Sequence, residues 1–283
     1  MKIDMHCHVK EGSIDSKVSL EEYIEKLQSE GFDGMVVTDH DTYNGYRYWK
    51  NKLKEKKGRE FVVFKGIEYD TRDAGHFLVI MPEGRKIRLL ELRGMPLSML
   101  IDLVHKNGGI LGPAHPCGEK YLSFANTKRF YKSPELIKRF DFIEVFNACE
   151  SEESNRGAIK LAKKYGKPGT GGSDAHHMDC VGTAYTLLNG YATCETELIA
   201  LIREKKVEEA GGRFYAKTVK DKIGKVNKLL VYSFWFYNKG GELLKRRSRH
   251  KKMMVESPVD PIDPIEIPYL KEAKKEKMEK LKE

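Results

Sequence analysis

Histidines and carboxylates recur in this sequence in short groups that suit metal-assisted chemistry. His6-Cys7-His8 is followed by Thr38-Asp39-His40-Asp41, Gly66-Ile67-Glu68, His76, Pro113-Ala114-His115-Pro116 and Ser173-Asp174-Ala175-His176. Of nine histidines, six (His6, His8, His40, His76, His115 and His176) fall at or beside the C-terminal ends of segments that read as strands. In α/β barrels separate loops converge at that end and build the active site. Residues i and i+2 of a strand face the same side, so His6 and His8 reach one ion while Cys7 points away. Imidazole and carboxylate donors suit Zn²⁺, Mn²⁺ or Fe²⁺. So many donors imply more than one ion, with a shared carboxylate between neighbours. Any one of these groups alone reads more simply as a core histidine or a capping aspartate. Five coincidences at five strand ends argue against that for the set.

The elements that must position these groups alternate. Strand-like runs cover Lys2–His8, Gly34–His40, Phe61–Tyr69, His76–Met81, Gly109–His115, Phe142–Asn147 and Pro168–Ser173. Several are nearly continuous apolar runs, as strands buried on both faces of a parallel sheet should be. Ser19-Leu-Glu-Glu opens a helix with a capping box. Leu97–Lys106, Glu152–Lys164 and Glu195–Lys205 read as further helices. This alternation predicts an α/β fold, open or closed into a barrel.

Composition bounds the rest. The 283 residues carry a formal net charge of +9, with 40% hydrophobic residues, enough for a substantial core. Residues 217–252 hold twelve Lys and Arg against two acids, so the remainder of the chain is close to neutral. That basic stretch is either a solvated face or a contact for nucleic acid, an anionic membrane or another polyanion. Val219–Arg249 reads as helical and basic, and Leu229–Tyr237 within it is aromatic and apolar. Residues 257–268 hold four prolines and read as an extended arm, and the last dozen residues are mostly Lys and Glu. We divide the chain at 1–217 and 218–283, a barrel followed by a basic helical and Pro-rich extension. The five cysteines (7, 117, 149, 180 and 194) form neither a disulfide framework nor a zinc-type CxxC pair. No apolar run is long enough to span a bilayer and no signal-peptide pattern opens the chain, so a cytoplasmic location is expected.

The motif set HxH, TDH, GIE, a later histidine, AHP and SDAH resembles, in that order, the polymerase and histidinol phosphatase (PHP) superfamily, over residues 1 to about 215. The resemblance implies a distorted seven-stranded β/α barrel with two or three divalent ions. Carried over to this sequence, His6, His8, Glu68 and Asp174 would hold one ion. Glu68 would bridge to a second, held by His76 and His115. Asp15, His40 and His176 would hold the third. Asp15 lies one residue further from His8 than the family's usual spacing, and Glu11 is its rival. Glu144 and Asn147 match an EVxN-like strand and are expected behind the ligands.

The chemistry expected of such a site is hydrolysis of phosphate esters by metal-activated water, which needs no serine or cysteine nucleophile. His177 is a candidate proton donor to the leaving group. Arg156, Lys120 and Arg47 are candidate cations for a substrate phosphate. The insert from Cys117 to Phe140 interleaves basic and aromatic residues (Lys120, Tyr121, Phe124, Lys128, Arg129, Tyr131 and Lys132), a pattern that stacks bases and pairs phosphates. It favours nucleotide or short oligonucleotide substrates over histidinol phosphate. Two other readings stay open, a non-catalytic metal-binding module recruited by its basic tail and a metal-dependent amidohydrolase.

Overall fold

In a computed structural model of the chain, residues 1–57, 61–118 and 122–214 are described. The readings that fall on Lys120, Tyr121 and the 218–283 extension lie outside the described residues. Among the described residues nine strands form: β1 (Lys2–Cys7), β2 (Gly34–Val37), β3 (Val62–Asp70), β4 (His76–Ile80), β5 (Ile110–Pro113), β6 (Ile143–Asn147), β7 (Gly169–Gly172), β8 (Ala184–Leu188) and β9 (Val207–Gly212). The helices are α1 (Leu20–Ser29), α2 (Asn44–Tyr48), α3 (Lys54–Lys57), α4 (Leu97–Lys106), α5 (Lys128–Lys132), α6 (Glu152–Tyr165) and α7 (Glu195–Arg203).

Local chemistry sets the helix starts. The Ser19 side chain accepts from the Glu22 backbone N–H, and the Glu22 carboxylate accepts from the Ser19 N–H, so the capping box forms at α1. Leu20, Tyr23, Ile24 and Leu27 then form one buried face, the i, i+3, i+4, i+7 stripe of an amphipathic helix. They pack with Cys7, Met35, Val37 and Val63 of β1–β3. On the β3–β5 side, Leu97, Leu100, Ile101 and Val104 of α4 share a core with Ile67, Phe77, Val79 and Leu111. Leu198, Ile199, Leu201 and Ile202 of α7 close a third cluster over Ile3, Val36, Phe64 and Leu78.

Seven strands form one mixed sheet in the order β5-β4-β3-β2-β1-β8-β9, and β6 and β7 form a separate parallel pair. The β1, β2 and β3 strands are parallel, whereas β4 runs antiparallel to both β3 and β5, and β8 antiparallel to β1 and β9. The seven strands read from the sequence all form, but a uniformly parallel sheet does not. Only five of them belong to the seven-stranded sheet, which β8 and β9 complete. The β6–β7 pair bridges the opening of the curl. The Asp141 N–H donates to the Leu111 carbonyl at 2.9 Å on one side, and the Asp174 N–H to the His6 carbonyl at 2.9 Å on the other.

This topology corrects the placement of His76. It opens β4 instead of ending a strand. Because β4 is reversed, with His76 opposite Asp70 and Phe77 opposite Pro113, its first residue reaches the same rim as the last residues of β3 and β5.

Candidate metal centre

The rim gathers nine side chains. The pair at the end of β1 is the most deeply buried: His6 and His8 are both 0% exposed. Their Nε2 atoms are 3.0 Å apart. Glu68 Oε2 lies 3.4 Å from His6 Nε2 and 3.3 Å from His8 Nε2, and Asp174 Oδ1 lies 3.6 and 3.3 Å from the same two atoms. Two nitrogens and two oxygens thus face one point. On the other side of Glu68, Oε1 lies 2.9 Å from His76 Nδ1 and 3.1 Å from His115 Nε2. A third group sits toward solvent, with Asp15 Oδ2 3.4 Å from His40 Nε2 and 3.3 Å from His176 Nε2. His40 Nδ1 in turn lies 2.9 Å from Glu68 Oε2. Glu11, the rival of Asp15, accepts instead from the Leu20 backbone N–H at 3.1 Å.

A second layer orients these groups. The Glu144 carboxylate takes His6 Nδ1 at 2.9 Å, which leaves Nε2 to face the cluster. The other Glu144 oxygen accepts from the His115 backbone N–H and from Asn147 Nδ2, and Asn147 Nδ2 also reaches Asp174 Oδ2 at 3.2 Å. His8 Nδ1 lies 3.2 Å from Ser13 Oγ, and Ser13 Oγ donates to Asp39 Oδ1 at 2.9 Å. His76 Nε2 lies 3.9 Å from Asp70, which pairs with Arg93. Three residues of the strand-end motifs hold left-handed backbone, Asp41 with φ 49°, His115 with φ 33° and Asp174 with φ 51°.

The electrostatics follow from this crowding. Burial works against charge on Glu68, yet the imidazoles of His76, His40 and His6 hold its carboxyl well below the usual range. Burial also opposes ionisation of Asp174, and His6 with a hydrogen bond from His8 holds it well below. Burial disfavours the His6 and His40 cations, but surrounding carboxylates outweigh it and hold both well above the ordinary imidazole value. His8 moves the other way, lowered by burial and then by His176 and His40. Burial raises the Asp39 carboxyl to about 7, against hydrogen bonds from Val9 and Ser13.

The donor set fits divalent cations. The Glu68 Oε2 atom is buried and receives no well-aligned hydrogen bond, although three imidazole nitrogens surround it. Three sets of potential ligand atoms lie mutually within 4.8 Å: His6, His8 and Glu68; His40, Glu68 and His76; His8, His40 and His176. Converging lone pairs at such spacing call for a proton or a cation between them.

The structure therefore brings together His6, His8, Asp15, His40, Glu68, His76, His115, Asp174 and His176. The two residues expected to act on substrate, Arg156 and His177, are not among these nine. The Arg156 guanidinium pairs with Glu152 at 3.1 Å on the exposed face of α6. His177 is half-buried at the start of the turn Met178–Cys180. Arg47 is engaged by both oxygens of Glu91. Sequence reasoning missed Ser13, Asp70 and Arg93 and gave Asp39 no role. A polar residue whose partner lies 26 positions away carries no local periodicity, though glycines at 12 and 45 are a signal that space is kept near Asp39.

Residues 152–207 match the PHP-associated family model. The DNA polymerase III subunit alpha of Aquifex aeolicus is 22% identical over 219 residues, a match that covers 62% of this chain but 18% of that protein. A two-domain protein of Bacteroides vulgatus containing a predicted PHP-like metal-dependent phosphoesterase shares the fold, with TM-score 0.54 and 17% identity over 75% of this chain and 65% of that one. So does the lesion-specific endonuclease EndoQ of Pyrococcus furiosus, with TM-score 0.52 and 17% identity over 75% of this chain and 59% of that one. In its ordered strand-end motifs, its PHP-associated segment and its fold, the chain is similar to the polymerase and histidinol phosphatase (PHP) superfamily.

Proposed function

We propose that the chain is a metal-dependent phosphoesterase acting on nucleotides or short oligonucleotides. The observation that carries this is the convergence of six imidazoles and three carboxylates on one rim, with Glu68 in their middle. In this reading His6, His8, Glu68 and Asp174 hold one ion, and Glu68, His76 and His115 a second. Asp15, His40 and His176 hold a third. Mn²⁺, Zn²⁺ and Fe²⁺ suit such donors. Divalent ions held there supply the Lewis acidity that activates water near neutral pH and offsets charge on the phosphoryl oxygens. Glu144, Asn147 and Ser13 keep the ligating atoms aimed inward. His177 is the proton donor to the leaving oxygen. Arg156, exposed on α6 where it pairs with Glu152, is a cation for the substrate phosphate. The phosphoesterase occupies residues 1–217 and works in the cytoplasm, and the basic extension at 218–283 is a contact for polyanions.

The substrate class rests on the segment that walls the His76 and His115 side. The His76 N–H donates to the Leu122 carbonyl at 2.9 Å, and Ser123 Oγ lies 3.5 Å from His115 Nδ1. The α5 helix follows directly. Its Lys128, Tyr131 and Lys132 are exposed and share one face at i, i+3, i+4. Tyr131 is 72% exposed, and edge-to-face contacts through Phe130 and Phe124 anchor it to the core. Phe124 is fully buried and Phe130 half-buried, so among the described residues of this segment Tyr131 is the exposed ring that offers a base a stacking surface.

The test is metal content of protein purified without chelator, with phosphate release from mononucleotides, short oligonucleotides and histidinol phosphate. Two or three ions per chain and turnover of a nucleotide class are expected. Inactivity after Mn²⁺ and Zn²⁺ are supplied would favour a binding module, and release from histidinol phosphate alone would displace the nucleotide assignment. Tyr131→Ala combined with Lys128→Glu should raise KM for an oligonucleotide roughly tenfold, given about 1–3 kcal/mol per stacked base, and leave a mononucleotide unaffected. Equal losses on both substrates would remove α5 from the binding surface.

A further inference from the structure

Ser13 has one hydroxyl proton and two acceptor sites. It is buried, 2% exposed, in the loop after β1. Its Oγ donates to Asp39 Oδ1 at 2.9 Å, and the Val9 backbone N–H donates to that same oxygen at 2.9 Å. With an N–H already aimed at it, Oδ1 is an acceptor whatever Oδ2 carries. The Gly45 backbone N–H donates to Oδ2 at 3.1 Å. The position of Asp39 is built for it. A Cβ on Gly12 would stand 1.8 Å from Asp39 Oδ2, and one on Gly45 2.2 Å from it. Neither glycine has positive φ, so both are required for room and not for backbone freedom.

The Ser13 proton is thereby committed away from the centre. What remains on Oγ is acceptor capacity, and two N–H positions face it: His8 Nδ1 at 3.2 Å and the His40 backbone N–H at 3.4 Å. An acceptor opposite Nδ1 requires the proton of neutral His8 to sit on Nδ1. Its Nε2 lone pair then points inward, 3.0 Å from His6 Nε2 and 3.3 Å from both Glu68 Oε2 and Asp174 Oδ1.

We infer that Ser13 and Asp39 are positioning residues that fix the tautomer of His8, so that its Nε2 meets the point already faced by His6, Glu68 and Asp174. The relay does for His8, through a hydroxyl, what the Glu144 carboxylate does directly for His6. It also links two loops. The chain after β1 and the end of β2 are tied through one serine oxygen, which holds the strand end carrying His40 beside the loop that leads to Asp15. Ser13 is not a nucleophile here, because its proton goes to a carboxylate and its oxygen is enclosed. The inference rests on the metal-centre reading for its purpose but not for its geometry.

The experiment combines ¹⁵N spectra of the histidine rings in metal-free protein with Zn²⁺ titration of the full chain, for the parent, Ser13→Ala and Ser13→Thr. In the parent, His8 should carry its proton on Nδ1. Ser13→Ala should lose that preference and weaken the tightest Zn²⁺ site by about 10- to 100-fold. Ser13→Thr, which keeps a hydroxyl, should restore both to near parental values. An Nε2–H tautomer in the parent would overturn the inference. So would a Ser13→Ala protein with unchanged tautomer and Zn²⁺ affinity within about twofold of the parent, or a Thr variant that behaves like Ala. If the parent binds no Zn²⁺, the metal-centre reading fails separately, and the ring spectra still decide the tautomer.

Discussion

The inner and outer ends of the centre are built differently. At the inner end His6, His8 and Glu68 are essentially without solvent contact, and His6 and His8 each have a hydrogen-bonded partner behind the inward-facing nitrogen. At the outer end the side chains of His40, His176 and Asp15 are 22%, 27% and 49% exposed, and Asp15 comes from a loop. A buried carboxylate without its cation is costly, whereas a half-exposed one can turn to water. The inner end should therefore be stiff and unforgiving, and the outer end adjustable.

The harshest way to break this contrast is Asp174→Asn or Glu68→Gln. Either should lower phosphoester hydrolysis by more than about 100-fold with the circular dichroism spectrum unchanged. Near-parental turnover in metal-loaded variants would remove the inner end from the chemistry. Asp15→Ala tests the outer end. It should reduce bound metal by about one ion per chain and lower turnover by roughly tenfold, less than the inner changes. Unchanged stoichiometry would mean that the outer group holds no ion.

Acidity separates the two metal states. The Glu68 and Asp174 carboxyls sit below their unfolded values, so their contribution is present above about pH 4 and lost as pH falls through the folded values. His6 and His40 sit above theirs, so their contribution is full below about pH 6.5 and lost as pH rises through the folded values. His8 has the opposite sign and acts below that window: its contribution is gained as pH rises towards about 6.5 and is constant above it. Metal-free protein should thus show a Tm that declines as pH rises from about 6.5. Saturating Mn²⁺ or Zn²⁺ should abolish the decline, because ligation needs neutral imidazoles and displaces their protons. A decline of the same size with and without metal would sever the link between these histidines and the ions.

Much of this was legible because period and chemistry coincide. The apolar runs that make strands end on the residues that carry donors, so one pattern located both. Strand direction was not legible. A continuous apolar run such as Phe77–Ile80 looks the same parallel or antiparallel, and only pairing across the sheet reverses β4 and brings His76 to the rim. The β8 strand was readable in principle, since Ala184–Leu188 alternates buried and half-buried positions, but β9, with two glutamates and two glycines, has little strand character of its own. The relay behind His8 was hidden for another reason. Asp39 sits within a motif whose histidine draws attention, and its partner lies across the fold.

The left-handed backbone at Asp41, His115 and Asp174 sets activity against endurance. Non-glycine residues in that region cost of order 1–3 kcal/mol each, and here they stand at the strand ends that carry the donors. Glycine relieves that strain where alanine does not. Of two variants that lose the same ligand, His115→Gly should melt higher than His115→Ala by about 2–4 °C, the shift that about 1 kcal/mol gives in a domain of this size. Among residues that cannot ligate, a selection for heat resistance alone would then favour glycine over alanine at position 115, so the left-handed backbone there records strain carried for the sake of the imidazole.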